Sequence, residues 1–136
     1  MIPIKLTLRN FLSYGESSEP LDFSGIHVAC LTGCNGGGKW ALLDGITWAL
    51  WGKARAEAVD DLVRLGQSSM QVEFDFAFDG GEYRVIRKRT RGRTGQSDLQ
   101  FQTKGPDGAF RALTEQGVRA TQDRITQTLQ IGRAHV

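Results

Sequence analysis

IHVACLTGCNGGGKWALLDGITWALWG, residues 26–52, decides the fold of this chain. Its first part, Ile26–Thr32, is a nearly continuous apolar run, the pattern of a strand buried on both faces. Gly33-Cys34-Asn35-Gly36-Gly37-Gly38-Lys39 follows directly and fits G-x-x-x-x-G-K. Leu42, Leu43, Ile46, Ala49 and Leu50 then recur at helical spacing and predict a helix from about Lys39 to Leu50. Gly45 sits inside that helix, where glycine costs roughly 1 kcal/mol relative to alanine. Gly52 supplies its stop.

A strand, a glycine loop and a helix in this order make an anion cradle. Glycines let successive backbone N–H groups converge on phosphate oxygens without β-carbon clashes. The helix N-terminus adds the positive end of its dipole, and Lys39 brings a mobile charge to the β- and γ-phosphates. The candidate nucleotide-binding residues are Gly33, Asn35, Gly36, Gly37, Gly38, Lys39, Trp40 and Ala41, the last through its backbone N–H alone. Such loops carry Ser or Thr at the eighth position, where the hydroxyl ligates Mg²⁺. Trp40 stands there, and an indole offers one N–H donor and no oxygen. Backbone phosphate binding survives this change, whereas metal positioning and phosphoryl transfer are expected to fail.

Outward from this unit, Ile4, Leu6 and Leu8 alternate with Lys5, Thr7 and Arg9, which predicts an edge-type strand with one wet face. Leu21–Phe23 reads as a short second strand. Residues 53–69 are polar and irregular apart from Leu62–Leu65. Met70, Val72, Phe74, Phe76 and Phe78 alternate with polar residues, a strong amphipathic-strand signal with the phenylalanines facing the core. Asp79-Gly80-Gly81 is a hairpin turn, and Tyr83, Val85 and Ile86 continue the returning strand. Leu99–Thr103 predicts another strand between turns at Arg91–Gln96 and Gly105–Gly108. Residues 114–129 predict a final helix with Val118, Thr121, Ile125 and Leu129 on one face. The expected fold is a mixed α/β lobe: a strand–P-loop–helix unit flanked by an antiparallel β meander and a following helix.

The 136 residues suit one domain, and no apolar run approaches the length of a membrane span. Net charge is +2, so no global field announces nucleic acid. The segment 84–93 is locally very basic, however. It supports two readings: phosphate contacts to DNA through Arg87, Lys88, Arg89, Arg91 and Arg93, or a solvated hairpin whose charges balance Glu73 and Asp75 across the strands. Cys30, Cys34 and His27 are too few for a zinc site. Trp48 and Trp51 are expected to pack against neighbouring elements, the acidic residues to lie on exposed strand faces and loops, and no catalytic triad or carboxylate pair suggests itself.

Ile4–Gly15 (IKLTLRNFLSYG), Leu21-Asp22-Phe23, the Gly-x-Asn-Gly-x-Gly-Lys loop and Ala41–Gly52 (ALLDGITWALWG) together resemble the start of SbcC-type DNA-repair ATPases of the SMC superfamily. Asn35 is typical of that superfamily, and transporters usually carry Ser or Cys there. The resemblance covers most of residues 1–129. It implies the N-terminal lobe of a P-loop, ABC/SMC-type head, joined in the family through a long coiled coil to a second segment. Two such heads sandwich ATP with Mg²⁺ as a homodimer. They act on DNA with an SbcD-type metal-dependent nuclease, in the cytoplasm at the nucleoid. The resemblance carries phosphate contacts over to Gly33, Asn35, Gly36, Gly38 and Lys39, and by rough position it implies that Asp61–Arg64 lie near the base or ribose. Gly37 and Gly45 depart from the family's usual small residue and alanine, and Trp40 departs from its hydroxyl. Walker B, signature, Q-loop and coiled-coil patterns do not occur in these residues. The expected function is the ATP-binding part of a repair ATPase, not catalytic alone. The alternative is a non-catalytic nucleotide- or DNA-binding module with a degenerate P-loop.

The last residues, Ile131–Val136, match the translation of a common sequencing adapter. Residues 130–136 are therefore expected to be a non-native tail after a 1–129 lobe, and Trp40 and Gly45 each to stand one base change from the family residue.

Overall fold

The computed structural model describes residues 1–12, 14, 15, 20–23, 37–54, 59–92 and 95–134. The strand expected at residues 26–32 lies outside them. Six strands form one antiparallel sheet in the order β2-β1-β3-β4-β5-β6. They are β1 (Ile2–Arg9), β2 (Leu21–Asp22), β3 (Ser69–Phe78), β4 (Gly81–Thr90), β5 (Ser97–Lys104) and β6 (Phe110–Ala112). Among the described residues two helices, α1 (Gly37–Trp51) and α2 (Gly117–Ala134), pack on one face of the sheet. A short 3₁₀ turn spans Val59–Leu62.

Strand parity sorts the residues. Leu6 and Leu8 pair with Phe74 and Val72, and these pair in turn with Val85 and Arg87 on β4. Phe101 and Leu99 complete the two rows on β5. All the apolar members of these rows are buried. Rings of Phe74, Phe76, Tyr83 and Phe101 follow one another at 5.4, 5.6 and 5.5 Å, in the stacked arrangement that adds to simple burial. The opposite parity carries Lys5, Asp75, Arg84 and Gln102 along one row of the open face.

Turn chemistry fixes the register. Phe78 pairs with Gly81, leaving Asp79 and Gly80 as a two-residue hairpin loop. Both have positive φ, 50° and 83°, as the turn matched to strand twist requires. At the end of α1, Gly52 takes φ 69° and its N–H caps Trp48 O at 2.8 Å.

Several expectations change. β1 is not an edge strand, because β2 pairs with Lys5 and Leu6 on its far side. Helix α1 begins at Gly37, since the first helical N–H groups need no intrahelical partner and glycine there costs little. Helix α2 begins at Gly117, not at 114: Thr114 Oγ1 is tied to the backbone of Phe101 on β5, and Gly117 has φ 86°. Its backbone continues through Ala134, where Gln, Arg and Ala favour helix more than one glycine opposes it. Strand β6 is too short for alternation to reveal. Trp51 is 43% exposed, unlike Trp48, which is buried. Leu65 is 91% exposed although it belongs to an apolar run.

Phe74→Ala should cost about 3–5 kcal/mol in urea unfolding, because its ring fills the centre of the helix-covered face. Gly80→Val should cost more than about 1 kcal/mol by the same measurement, since a β-branched residue resists positive φ.

Candidate functional site

Helix α1 carries the candidate site at its N-terminus. Gly37, Gly38, Lys39, Trp40 and Ala41 are the first five residues of the helix, so the end of the G-x-x-x-x-G-K motif runs directly into helical backbone. Gly33, Asn35 and Gly36 lie outside the described residues. The helix is seated along its length. Gly45 lies so close to β1 that a β-carbon there would sit 2.7 Å from Leu8 Cδ2. Trp48 meets the Phe11 ring at 6.0 Å.

The loop after β1 stands beside the 59–64 segment. Leu12 N–H donates to Leu62 O and Arg64 N–H to Asn10 O, both at 2.7 Å. Asn10 and Leu12 each have φ 53°, an unfavourable backbone for leucine, held by these bonds around a fully buried Phe11. The Arg64 guanidinium lies over Gly15, with no room between them for a β-carbon. Asp61–Arg64 are thus brought to the β1 loop.

The basic strand β4 divides into two faces. Arg84, on the open face, donates from Nε and a terminal nitrogen to the two carboxylate oxygens of Asp75 at 2.8 and 2.9 Å. Its guanidinium lies 4.0 Å from the Phe110 ring centroid. The Asp75 hydrogen bond raises its pKa above the ordinary arginine value. Asp75 is therefore buried and paired, contrary to the expectation that the acidic residues are exposed.

Arg87 faces the helices and is only 6% exposed. Its Nε donates to Ala49 O at 3.2 Å, a terminal nitrogen donates to Gln122 Oε1, and its guanidinium faces the Trp48 ring at 5.8 Å. Burial pushes the guanidinium pKa down to about 10, which leaves it charged at neutral pH. The reading of Arg87 as a DNA contact is corrected: its charge is spent inside the fold.

Lys88 is exposed, and Arg89 donates to Ser97 Oγ at 3.0 Å. Both line an open hollow of about 240 Å³ with Arg9, Asn10, Ser69 and Gln71. Arg9 joins them through the register Arg9–Gln71–Lys88. It was legible as a wet-face residue of β1, but only strand pairing brings it to Lys88. Arg91 is exposed at the end of β4, and Arg93 lies outside the described residues. Among the described residues no three His, Cys, Asp or Glu side chains gather as a metal site, and no helix is long and apolar enough to cross a membrane.

A helix packed on a sheet and begun by the last residues of a G-x-x-x-x-G-K motif fits a P-loop type of protein, and comparison with known proteins narrows the class. A family model described as an AAA domain matches residues 5–134. The chain is 32% identical over 128 residues to the SbcC component of the nuclease SbcCD of Deinococcus radiodurans, covering 92% of this chain and 14% of that protein. It is 37% identical over 91 residues to a DNA double-strand break repair Rad50 ATPase of Thermoplasma acidophilum, covering 67% of this chain and 10% of that protein. The SbcC component of the Staphylococcus haemolyticus nuclease is 32% identical over 107 residues, covering 73% of this chain and 10% of that protein. The chain belongs to this AAA-domain family and is an SbcC/Rad50-type segment. It spans about a seventh or less of the length of these relatives.

Asp75→Asn should lower stability by about 1–2 kcal/mol in urea unfolding, because it breaks a two-pronged charged contact with Arg84. Lys88→Ala should change it by less than about 0.5 kcal/mol, since this side chain is solvated.

Proposed function

We propose that this chain is the ATP-binding part of a DNA-repair ATPase that, when complete, couples ATP binding and hydrolysis to nuclease-mediated processing of DNA ends. The observation that carries the reading is the G-x-x-x-x-G-K motif running into the first turn of α1, within a family match that spans residues 5–134. The N–H groups of that turn and the Lys39 ammonium suit a polyphosphate. Gly33, Asn35, Gly36, Gly37, Gly38 and Ala41 would act through their backbone.

The donor chemistry does not fit Mg²⁺ in the same way. Trp40 presents no oxygen at the position where a hydroxyl would hold the ion. We therefore read the chain as written as a nucleotide binder with weak or absent hydrolysis. This favours the binding-only module as the second reading for this sequence. The natural partners would be DNA, a metal-dependent nuclease of the SbcD type and a second ATPase head, at the nucleoid.

DNA phosphates would be met by Lys88, Arg89 and Arg91, with Arg9 added from the hollow that it lines with Lys88 and Arg89, and Arg93 following. Arg87 is left out, being buried.

Equilibrium dialysis with radiolabelled ATP tests the site. The wild-type chain should bind ATP without added metal, and Lys39→Ala should lose at least about tenfold in affinity, the loss of a charged phosphate contact. Equal binding by both proteins would overturn the reading. In a complete protein, Trp40→Ser should gain Mg²⁺-dependent turnover, whereas robust turnover with Trp40 in place would refute the metal argument. For DNA, Lys88→Ala should reduce the slope of log affinity against log salt by roughly one phosphate contact. An unchanged slope would remove Lys88 from the interface.

A further inference from the structure

Helices α1 and α2 meet at one polar joint. Arg87 from β4 donates to Ala49 O and to Gln122 Oε1. Gln122 from α2 donates from Nε2 to Leu50 O at 2.8 Å. Gly52 N–H takes Trp48 O. Three successive carbonyls at the end of α1 are thus held by three different parts of the chain: its own C-cap, β4 and α2. Gln122 does two things with one amide, accepting from Arg87 and donating to Leu50. Neither helix can slide past the other by a residue without breaking both bonds. The other end of α1 is the glycine–lysine loop, and the helix crosses from Leu8 on β1 to Arg87 on β4 between them.

A helix end needs only donors, and neutral side chains supply them. Here the donor is a buried cation whose partners among the described residues are all neutral: a carbonyl, an amide and an indole. Burial of that kind is costly for capping alone.

We infer that Arg87 and Gln122 are positioning residues that lock the far end of the phosphate-loop helix to α2, so that nucleotide binding at the N-terminus of α1 is transmitted into α2. The inference rests on the nucleotide reading above. A rigid helix fastened at one end converts a small adjustment at its phosphate end into a changed fit at the joint.

Hydrogen exchange of the α2 amides between residues 118 and 129, measured on the full chain with and without ATP, tests the inference alongside ATP binding by dialysis. In wild type, ATP should slow that exchange by roughly fivefold or more, the lower range of ordinary coupling between sites. Gln122→Glu keeps an acceptor for Arg87, and indeed gives it a counter-ion, while deleting the N–H to Leu50 O. It should still bind ATP and lose the α2 response. Should that variant not fold, Arg87→Lys carries the same test, because an ammonium keeps the charge but lacks the fork that spans Ala49 and Gln122. A response that survives in the folded variant overturns the joint as the route. ATP binding in wild type with no change in α2 overturns the inference alone, whereas absence of ATP binding overturns the nucleotide reading and the inference with it.

Discussion

The last carbonyls of a helix that ends inside a protein must find donors, and α1 ends inside this one. Its C-terminal turn lies over β4 and against α2, with Trp48, Ala49 and Leu50 buried and Trp51 turned to the surface. Arg87 meets the constraint from below and Gln122 from the side. The row on which Arg87 sits is otherwise apolar, with Leu8, Val72 and Leu99 as its neighbours across the sheet. A single cation in that row bonds the last turn of α1, and through Gln122 it reaches α2. The sheet supplies the apolar driving force, but it is non-directional. The joint supplies the direction.

This explains what could be read from the residues and what could not. The period-two pattern of residues 70–79 defined β3 and its buried face, because alternation over ten residues leaves one arrangement. Asp79-Gly80 defined the hairpin for a similar reason. Arg87 was misplaced because six basic residues in ten suggest a solvated surface. Its parity pointed the other way: Tyr83, Val85 and Arg87 share a face, and Val85 is fully buried. Counting from Val85 would have put Arg87 in the core. Gln122 left no such trace. It flanks the Thr121–Ile125–Leu129 stripe, where a polar residue normally meets water. Its role arises only when two helices far apart in sequence come together. Arg9 is intermediate, since its face was legible but its neighbours were not.

The phosphate loop shows the complementary case. Its motif is local, so the sequence alone names the chemistry, and fold detail adds the helix that the motif opens. Trp40 separates two properties that usually travel together in such loops. On the proposed reading phosphate binding would draw on backbone N–H groups and on Lys39, which tolerate a changed neighbour. Metal positioning needs an oxygen at one side chain, which an indole cannot provide. Such a helix would keep affinity for a polyphosphate while losing the means to cleave it.

The two ends of α1 therefore make different demands on the sequence. On the proposed reading the N-terminal end would need small residues and one mobile cation, because an external ligand would complete its hydrogen bonds. The C-terminal end has no ligand and must be completed by the protein itself, which requires a fixed cation and a bifunctional amide. Both ends carry a basic residue in the sequence, Lys39 in the motif and Arg87 on β4, and Arg87 is enclosed by neutral groups. Local density of basic residues does not separate these roles. Burial does, and on β4 it separates Arg87 from Lys88, its neighbour in the chain on the other face of the sheet.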